Sequence, residues 1–223
     1  KGSIEVVPNA VDTAHFSQEY PKEELDALKR KLGKKPDEKY IITTSRLVHK
    51  NAIDDVIVAL SYLPEQIKFL ILGSGPDEAV LKDLAKENGV SDRVMFLGQV
   101  DHKEMPKYLK ISDVFTRPSR SEGFGISFVE AMAAEIPVVA TQEGGLADFL
   151  FDPDRNKDKK PTGIAVNASD PKDLARGLKR ALEDTELLRN MVPQAARMVR
   201  EKYDWNLIAK NMREKVFGSL FEK

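Results

Sequence analysis

The sequence predicts an α/β protein built on a doubly wound parallel sheet of about six strands, with helices on both faces and further helices at the C-terminal end. Short runs of β-branched and aromatic residues alternate with amphipathic stretches along most of the chain. This alternation is typical of parallel strands joined by helical crossovers. The chain has 223 residues, of which 41% are hydrophobic. That length can bury one sizeable core, so we expect a single domain over residues 1–223.

The predicted strands are short, apolar and bounded by turn residues. They are Ile4–Val7, Tyr40–Thr44, Lys68–Leu72, Arg93–Leu97, Val114–Thr116, Pro137–Ala140 and Gly163–Val166. The stretches between them repeat apolar residues at helical spacing. The predicted helices are Lys22–Leu32, Asp54–Leu63, Asp77–Asn88, Glu104–Ile111, Phe124–Glu135 and Pro171–Glu183.

The pattern after these elements is helical only, which predicts a helical C-terminal extension over residues 185–223. Its two helices are expected at Glu186–Glu201 and Asn206–Phe221. The last helix carries more apolar residues than a single stripe needs, among them Trp205 and Phe217. Two interpretations stay open: ordinary packing on the core, or contact with a domain that this sequence does not contain.

Composition excludes several classes of protein. The net charge is −1 with 32% charged residues, which argues against nucleic acid as the main partner. The chain has no cysteine, so neither a disulfide framework nor a thiolate metal site is available, as suits a reducing cytoplasm. No apolar run approaches the roughly 18 residues of a transmembrane segment, and the first residues carry no secretory signal. They are expected to follow a cut inside a longer chain.

The strongest functional signal is the segment from Ser119 to Met132. Glu122 lies in a glycine turn after a predicted strand, and Glu130 lies eight residues later in the predicted helix. The turn brings unpaired backbone N–H groups and the positive helix end to one point, where a phosphate can bind. Acids on either side can hold separate hydroxyl groups, which predicts a sugar-nucleotide site. The alternative is that Glu122 caps the helix and Glu130 is solvated.

Four loops with informative residues follow predicted strands. In an open α/β sheet the ligand binds beyond the carboxyl ends of the strands, so we expect these loops to converge on one crevice. They carry Ser45, Arg46 and Lys50; Gly73–Pro76; the Glu122 turn; and Gly144–Leu146. The two cations can balance a diphosphate and stabilise it as a leaving group. The glycines at 73 and 75 indicate close backbone approach, because two glycines alone are weak evidence for dinucleotide binding.

Together these landmarks resemble the C-terminal, nucleotide-sugar-binding half of a GT-B glycosyltransferase, of the retaining family called group 1 or family 4. The matching segments cover nearly the whole chain. They are Val7–Asp12, Ser45–Leu47 with Lys50, Leu72–Pro76, Val94–Gly98, Pro118–Ser119, Glu122, Glu130–Ala133, Pro137–Thr141 and Gly144–Gly145. The resemblance implies a Rossmann-like domain that, in the intact hexosyltransferase, serves transfer from a nucleoside-diphosphate sugar with retention of configuration. It also implies that the N-terminal acceptor domain is absent, so this chain alone should transfer no sugar.

The resemblance further implies roles for individual residues. Glu122 would lie near the sugar hydroxyls, Arg46 and Lys50 would hold the diphosphate, and Glu130 would accept hydrogen bonds from the ribose. The remaining implied substrate contacts come from Gly73, Gly75, Gln99, Val100, Gly123, Phe124, Gly125 and Ile126, with Gln99 and Val100 beside the base. No metal and no cofactor other than the donor substrate is expected.

The basic loop departs from the family pattern. Ser45 stands where a glycine is common, two residues instead of three separate Leu47 from Lys50, and Asn51–Ala52 follow where a glycine is common. The loop is therefore shorter than usual. The three histidines, His15, His49 and His102, are expected to be solvated or locally bonded.

Two other classes of function remain open at this stage. A non-catalytic nucleotide-sugar-binding module would share the glycines and the arginine but would not need both acids. A dinucleotide oxidoreductase would place three glycines after its first strand, which this sequence lacks. We expect a cytoplasmic protein without a transmembrane segment, and peripheral contact of the intact enzyme with the inner membrane face stays open.

Overall fold

The computed structural model describes residues 6–218. Within that range it contains a six-stranded sheet in the order β3-β2-β1-β4-β5-β6, with every neighbouring pair parallel. The strands are β1 Lys39–Thr44, β2 Ile67–Leu72, β3 Val94–Gly98, β4 Val114–Arg117, β5 Val138–Ala140 and β6 Ile164–Ala165. This is the order of a doubly wound, Rossmann-like sheet, and the predicted fold class is confirmed.

Helices connect the strands and continue after the last one. They are α1 Thr13–Ser17, α2 Lys22–Lys31, α3 Ile53–Leu60, α4 Glu78–Glu87, α5 Met105–Lys110, α6 Ile126–Ala133, α7 Pro171–Glu183, α8 Thr185–Lys202 and α9 Trp205–Asn211. A π-helical turn, Met212–Phe217, continues α9, and 3-10 turns occupy His49–Asn51, Ser91–Arg93 and Gly144–Asp148. The final residues of the predicted helix Asn206–Phe221 lie outside the described range.

The sheet separates two hydrophobic cores. Alternate residues of β1 point to opposite faces, so Tyr40 and Ile42 join one core while Ile41 joins the other. Residues of α1, α5, α6 and α8 cover the first face, and residues of α3, α4 and α7 cover the second. Burial on both faces explains the continuous apolar runs Tyr40–Ile42 in β1 and Phe69–Leu72 in β2.

The first predicted strand is not found. Ile4 and Glu5 of Ile4–Val7 lie outside the described residues, and Val6 and Val7 have irregular backbone. The chain next pairs with the junction between α8 and α9 instead of the sheet: Val11 N–H donates to the Tyr203 carbonyl at 2.8 Å, and Trp205 N–H donates to the Val11 carbonyl at 2.9 Å. The backbone hydrogen bonds of this segment are therefore satisfied beside the sheet, and α1 follows it directly.

The two C-terminal helices differ in burial. Helix α8 places Met191 and Val199 in the two cores and packs against α6. Helix α9 buries none of its residues; Trp205 is 62% exposed, and Phe217 in the following turn is also exposed. Ordinary core packing, one of the two interpretations of this segment, is therefore wrong for α9.

The topology leaves a crevice beside β1 and β4. These strands are neighbours, with Ile41 opposite Val114 and Ile42 opposite Phe115, but β1 leads towards β2 and β4 leads towards β5. The loops that follow β1 and β4 diverge at this point, and the space between them is where doubly wound folds bind ligands.

Candidate functional site

A crevice of about 1000 Å³ opens at the carboxyl ends of the central strands. It is lined by Asn9, Thr44, Ser45, Arg46, Leu72, Gly73, Ser74, Gly75, Gln99, Val100, His102, Met105, Arg117, Glu122, Phe124, Gly125, Ile126, Ser127 and Glu130. Most predicted site residues are thus brought together, including both acids. Lys50 and Gly123 are not among the lining residues.

The loop after β1 places one of the two predicted cations at the crevice. Arg46 lines it, whereas Lys50 is exposed in the turn His49–Asn51. The buried Asn51 closes this loop, because its amide Nδ2 donates to the Arg46 carbonyl at 2.7 Å and to Ser45 Oγ at 2.9 Å. Ala52 follows with φ of 55°, a left-handed conformation that costs a residue with a Cβ atom free energy.

The glycines after β2 allow two loops to approach each other. A Cβ atom at Gly73 would overlap the Ser45 carbonyl oxygen, and one at Gly75 would overlap the backbone of Leu47. The predicted close backbone approach is confirmed, and its partner is the loop after β1. The loop after β3 joins them: Gly73 N–H donates to the Gly98 carbonyl at 2.7 Å, and Gln99 Nε2 donates to Ser74 Oγ at 3.2 Å.

The fourth predicted loop, Gly144–Leu146, does not line the crevice; it supports the site from behind. A Cβ atom at Gly144 would overlap the Glu122 carbonyl oxygen, and one at Gly145 would overlap that of Gly123. These glycines therefore lie directly behind the Glu122 turn. Of the four loops expected to converge on the crevice, three line it and the loop after β5 lies behind one of them. The loop after β3 also lines the crevice through Gln99 and Val100, the two residues expected beside the base.

Glu122 forms an ion pair inside the crevice. Its Oε2 accepts a hydrogen bond from Arg117 Nη2, and its Oε1 accepts one from the Gly123 N–H at 3.1 Å. The two side chains are 12% and 10% exposed. Burial lowers the pKa of the Arg117 guanidinium, and the neighbouring carboxylates of Glu122 and Glu130 oppose that shift. Arginine nevertheless remains charged in proteins, so Glu122 has a permanent cationic partner.

Glu130 has a different partner. It is buried in α6, and its Oε1 lies 3.3 Å from Nε2 of His102. Burial raises the pKa of Glu130, and His102 opposes that shift. The His102 side chain is 60% exposed and stacks on His15 with 5.3 Å between ring centroids. His15 is locally bonded as expected, since Gln18 Nε2 lies 3.2 Å from its Nδ1. The partner of His102 is not local: it is Glu130, an acid of the predicted site that lies 28 residues further along the chain.

The N-terminus of α6 faces the crevice without a side-chain cap in the described structure. Gly125, with φ of 82°, is the N-cap residue, and Ile126 and Ser127 follow it along the crevice wall. The first N–H groups of a helix have no intrahelical acceptor and carry partial positive charge. The Ser127 hydroxyl is buried and has no hydrogen-bond partner among residues 6–218. This corner therefore offers several free donors to an anion.

Arg120 connects the turn that contains Glu122 to the turn at His49–Asn51. Its guanidinium donates to both carboxylate oxygens of Asp54 at 2.9 Å and to Asp55 Oδ1 at 2.9 Å. Nη1 also donates to the His49 carbonyl at 2.7 Å, and the Arg120 N–H donates to the Lys50 carbonyl at 2.8 Å. Because Arg120 does not line the crevice, its effect is on the positions of the loops.

Sequence reasoning missed Arg117, His102 and Ser127. A charged residue that ends an apolar strand one position before the Pro118–Ser119 turn is a signal that could have identified Arg117. His102 follows the loop assigned to the base, but nothing in the local sequence relates it to Glu130. The sequence could place Ser127 near the helix N-terminus, but it could not predict the direction of its hydroxyl group.

A doubly wound sheet with free helix donors, a cation and acids at its switch point is typical of proteins that bind nucleotides. The comparison with known families is more specific. The model of the family "Glycosyl transferases group 1" matches residues 25–198, and the chain belongs to this family. The family assignment favours the transferase interpretation over the dinucleotide oxidoreductase.

Individual proteins extend this comparison. An uncharacterized glycosyltransferase of Methanocaldococcus jannaschii is 34% identical over 209 residues, which are 93% of this chain and 52% of that protein. The GDP-mannose-dependent alpha-(1-6)-phosphatidylinositol monomannoside mannosyltransferase of Mycobacterium tuberculosis is 30% identical, over 97% of this chain and 56% of that protein. The crystal structure of Anabaena HepE in complex with UDP-glucose superposes with a TM-score of 0.85 at 23% identity, over 96% of this chain and 57% of HepE.

Two further observations concern the length of the chain and its helices. The chain spans about half the length of the relatives it matches. None of the helices within residues 6–218 combines the length and the apolar character that crossing a lipid bilayer requires.

Proposed function

We propose that the crevice binds a nucleoside-diphosphate sugar and that this chain is the donor-binding part of a retaining hexosyltransferase. The observation that carries the proposal is the arrangement of Glu122 and Glu130 on the wall of one crevice that also contains Arg46 and the uncapped N-terminus of α6. Acids can hold the hydroxyl groups of a sugar and a ribose, and the donors can hold the diphosphate. The names of the relatives agree: one is GDP-mannose-dependent, and HepE is described with UDP-glucose.

Each part of the donor then has a place. The diphosphate would lie at the N–H groups from Phe124 to Ser127, with Arg46 beside it. The ribose would bind Glu130, and the base would lie along Gln99 and Val100. This leaves Glu122 for the sugar hydroxyls. Gly73 and Gly75 let the loops after β1 and β2 form the opposite wall.

The same donors can assist the reaction. When the bond to the sugar breaks, negative charge grows on the departing diphosphate. Preorganised N–H groups and a guanidinium stabilise that charge more than they stabilise the bound substrate. Lys50 remains a predicted diphosphate contact, for which its side chain would have to reach the crevice from the exposed turn. We expect the transfer to need no metal and no further cofactor.

A second domain would complete the enzyme. The exposed apolar surface of α9 and the turn after it, including Trp205, Met212 and Phe217, is suited to contact with another part of the protein. Because the chain spans about half the length of its relatives, we expect the acceptor to bind outside this chain. Residues 1–223 alone should bind donor without transferring sugar. Substantial turnover by this chain with donor and acceptor would contradict that expectation.

Calorimetric titration tests the proposal. UDP, GDP and ADP and their glucose or mannose derivatives are titrated into the chain and into Glu130→Ala and Glu135→Ala variants. Loss of a carboxylate that accepts ribose hydroxyls should weaken nucleotide binding by about tenfold or more. Glu135 is the matched control, since it is an acid just beyond the end of the same helix and does not line the crevice.

The outcomes separate the classes of function. Nucleotide binding that is weakened by Glu130→Ala and unchanged by Glu135→Ala supports the proposal. Binding of NAD with none of UDP, GDP or ADP would overturn it. If the sugar nucleotides bind but the full-length protein transfers no sugar to any acceptor tested, the chain is a nucleotide-sugar-binding module.

A further inference from the structure

We infer that Arg117 is a positioning residue that holds the carboxylate of Glu122 towards the donor sugar, so that this carboxylate recognises sugar hydroxyls. The inference rests on the proposed function and adds to it a residue that the sequence signals did not include. Arg117 is the last residue of β4, in register with Ala140 of β5, and its side chain lines the crevice at the switch point.

Three surrounding elements fix the guanidinium of Arg117. Nε donates to Ser119 Oγ at 3.2 Å in the turn after β4, and Nη1 donates to the Thr44 carbonyl of β1 at 3.4 Å. The guanidinium carbon lies 4.6 Å from the ring centroid of Phe128 in α6, within the range of a cation–π contact. With the side chain only 10% exposed, these contacts give the guanidinium a defined orientation before any ligand binds.

The guanidinium in turn orients Glu122. One carboxylate oxygen is held by Arg117 and the other by the Gly123 N–H. A carboxylate offers about four acceptor sites, so these two bonds leave acceptor capacity for hydroxyl groups. Without Arg117, a largely buried carboxylate would lose its compensating charge, and its side chain would gain freedom to turn towards water.

The oriented carboxylate matches the chemistry of a sugar hydroxyl, which can donate a hydrogen bond to it. Because Arg117 and the Gly123 N–H fix its direction, Glu122 should favour the hydroxyl configuration that points at its remaining acceptor sites. This orientation should have no effect on a nucleoside diphosphate that lacks a sugar.

The test compares two ligands across a set of variants of the whole chain. Dissociation constants for UDP and UDP-glucose, and for GDP and GDP-mannose, are measured for the wild type, Arg117→Met, Arg117→Lys and Arg120→Met. For Arg117→Met we expect sugar-nucleotide affinity to fall by about tenfold, with nucleoside-diphosphate affinity within threefold of wild type. Lysine keeps the charge but not the planar fork, so Arg117→Lys should restore only part of the loss.

Arg120→Met is the control for a structural effect. It removes an arginine that connects two loops outside the crevice. The affinities for the nucleoside diphosphate and for the sugar nucleotide should therefore fall by similar factors. Equal losses for both ligands in Arg117→Met, or no loss for either, would overturn the inference. If the wild type binds no nucleoside diphosphate at all, the proposed function fails first.

A double variant covers the case in which Arg117→Met does not fold. Arg117→Met with Glu122→Gln removes the unpaired carboxylate charge, and its binding is compared with that of Glu122→Gln alone. If Arg117 acts through Glu122, the double variant should lose no more sugar-nucleotide affinity than Glu122→Gln does. A further tenfold loss in the double variant would show that Arg117 acts independently of Glu122.

Discussion

The two acids of the crevice are held in contrasting ways. Glu122 is paired with Arg117, a buried residue whose charge is permanent. Glu130 is paired with His102, whose side chain is largely exposed. The carboxylate of Glu122 is therefore held by a buried partner, whereas the carboxylate of Glu130 has an exposed partner that a ligand can replace.

The difference suits two kinds of contact. His102 can turn to water at little cost because most of its side chain is already exposed. In the proposed binding mode, Glu130 would exchange this histidine for ribose hydroxyls. Arg117 has no comparable route to solvent and stays with Glu122. We therefore expect the sugar end to be preformed and the ribose end to rearrange when the donor binds.

The largest expected effect is on stability. Glu122→Gln keeps the size of the side chain but removes the carboxylate that is hydrogen-bonded to the buried Arg117, so we expect a loss of about 2 kcal/mol in the free energy of unfolding. Glu130→Gln leaves only an exposed histidine without its partner, and the change should be below about 0.5 kcal/mol. Urea unfolding of the two variants measures both values. Equal losses would show that the two pairs are energetically equivalent.

The pH dependence of stability sharpens the same contrast. Burial raises the pKa of Glu130 above its ordinary value of about 4.3, so the folded protein keeps a proton that the unfolded chain has already released. The stability contributed by this group should be present at low pH and fall as the pH rises from about 4 through the raised pKa. Unfolding curves between pH 4 and pH 8 should show this fall in the wild type and a smaller one in Glu130→Gln. A fall of the same size in both would assign it to another group.

The smallest expected effect concerns the helix that carries Glu130. Helix α6 ends in a Schellman motif. The Ile136 N–H donates to the Ala131 carbonyl at 3.2 Å, and the Glu135 N–H donates to the Met132 carbonyl at 3.1 Å. Glu135 has φ of 61°, where a Cβ atom costs about 1–2 kcal/mol. Glu135→Gly should therefore stabilise the protein by about 0.5–1 kcal/mol, allowing for the entropy of glycine.

The control for this variant is Ala134→Gly, one residue earlier. Ala134 has φ of −73°, so glycine relieves no strain there and should destabilise by up to about 1 kcal/mol. Thermal unfolding distinguishes the two signs. Neither variant changes Glu122 or Glu130, so donor affinity should stay the same in both. A change in donor affinity would show that the end of α6 influences Glu130.

Much of the fold and part of the site could be predicted from sequence. Strands β1 and β2 were predicted to within one residue because runs buried on both faces leave a clear apolar signal. Glu122 and Glu130 were placed beside a helix N-terminus because a glycine turn and its helix are adjacent in the chain. The loop at Gly73 was predicted for the same reason, although its partner, the backbone at Ser45, was not.

The errors share a cause. The supporting position of Gly144, the exposure of α9 and the pairing of Val11 with the α8–α9 junction all depend on contacts between segments far apart in the chain. Periodicity reports which face of an element is apolar, but not what covers that face. The apolar residues of α9 were therefore compatible with core packing in sequence, but the structure buries none of them fully.

The sequence by itself determined the order of the six sheet strands and the helices between them, the family, and the positions of the two acids, because each of these follows from local sequence patterns. Only the tertiary structure decided that Arg117 holds Glu122 and that His102 holds Glu130. The guanidinium of Arg117 is fixed by groups from β1 and α6 as well as its own turn. His102 is brought to Glu130 by α1, which packs against both α5 and α6 and contacts the His102 ring through His15 and Phe16. Such side-chain pairs depend on which elements pack against each other, and a local sequence pattern does not contain that information.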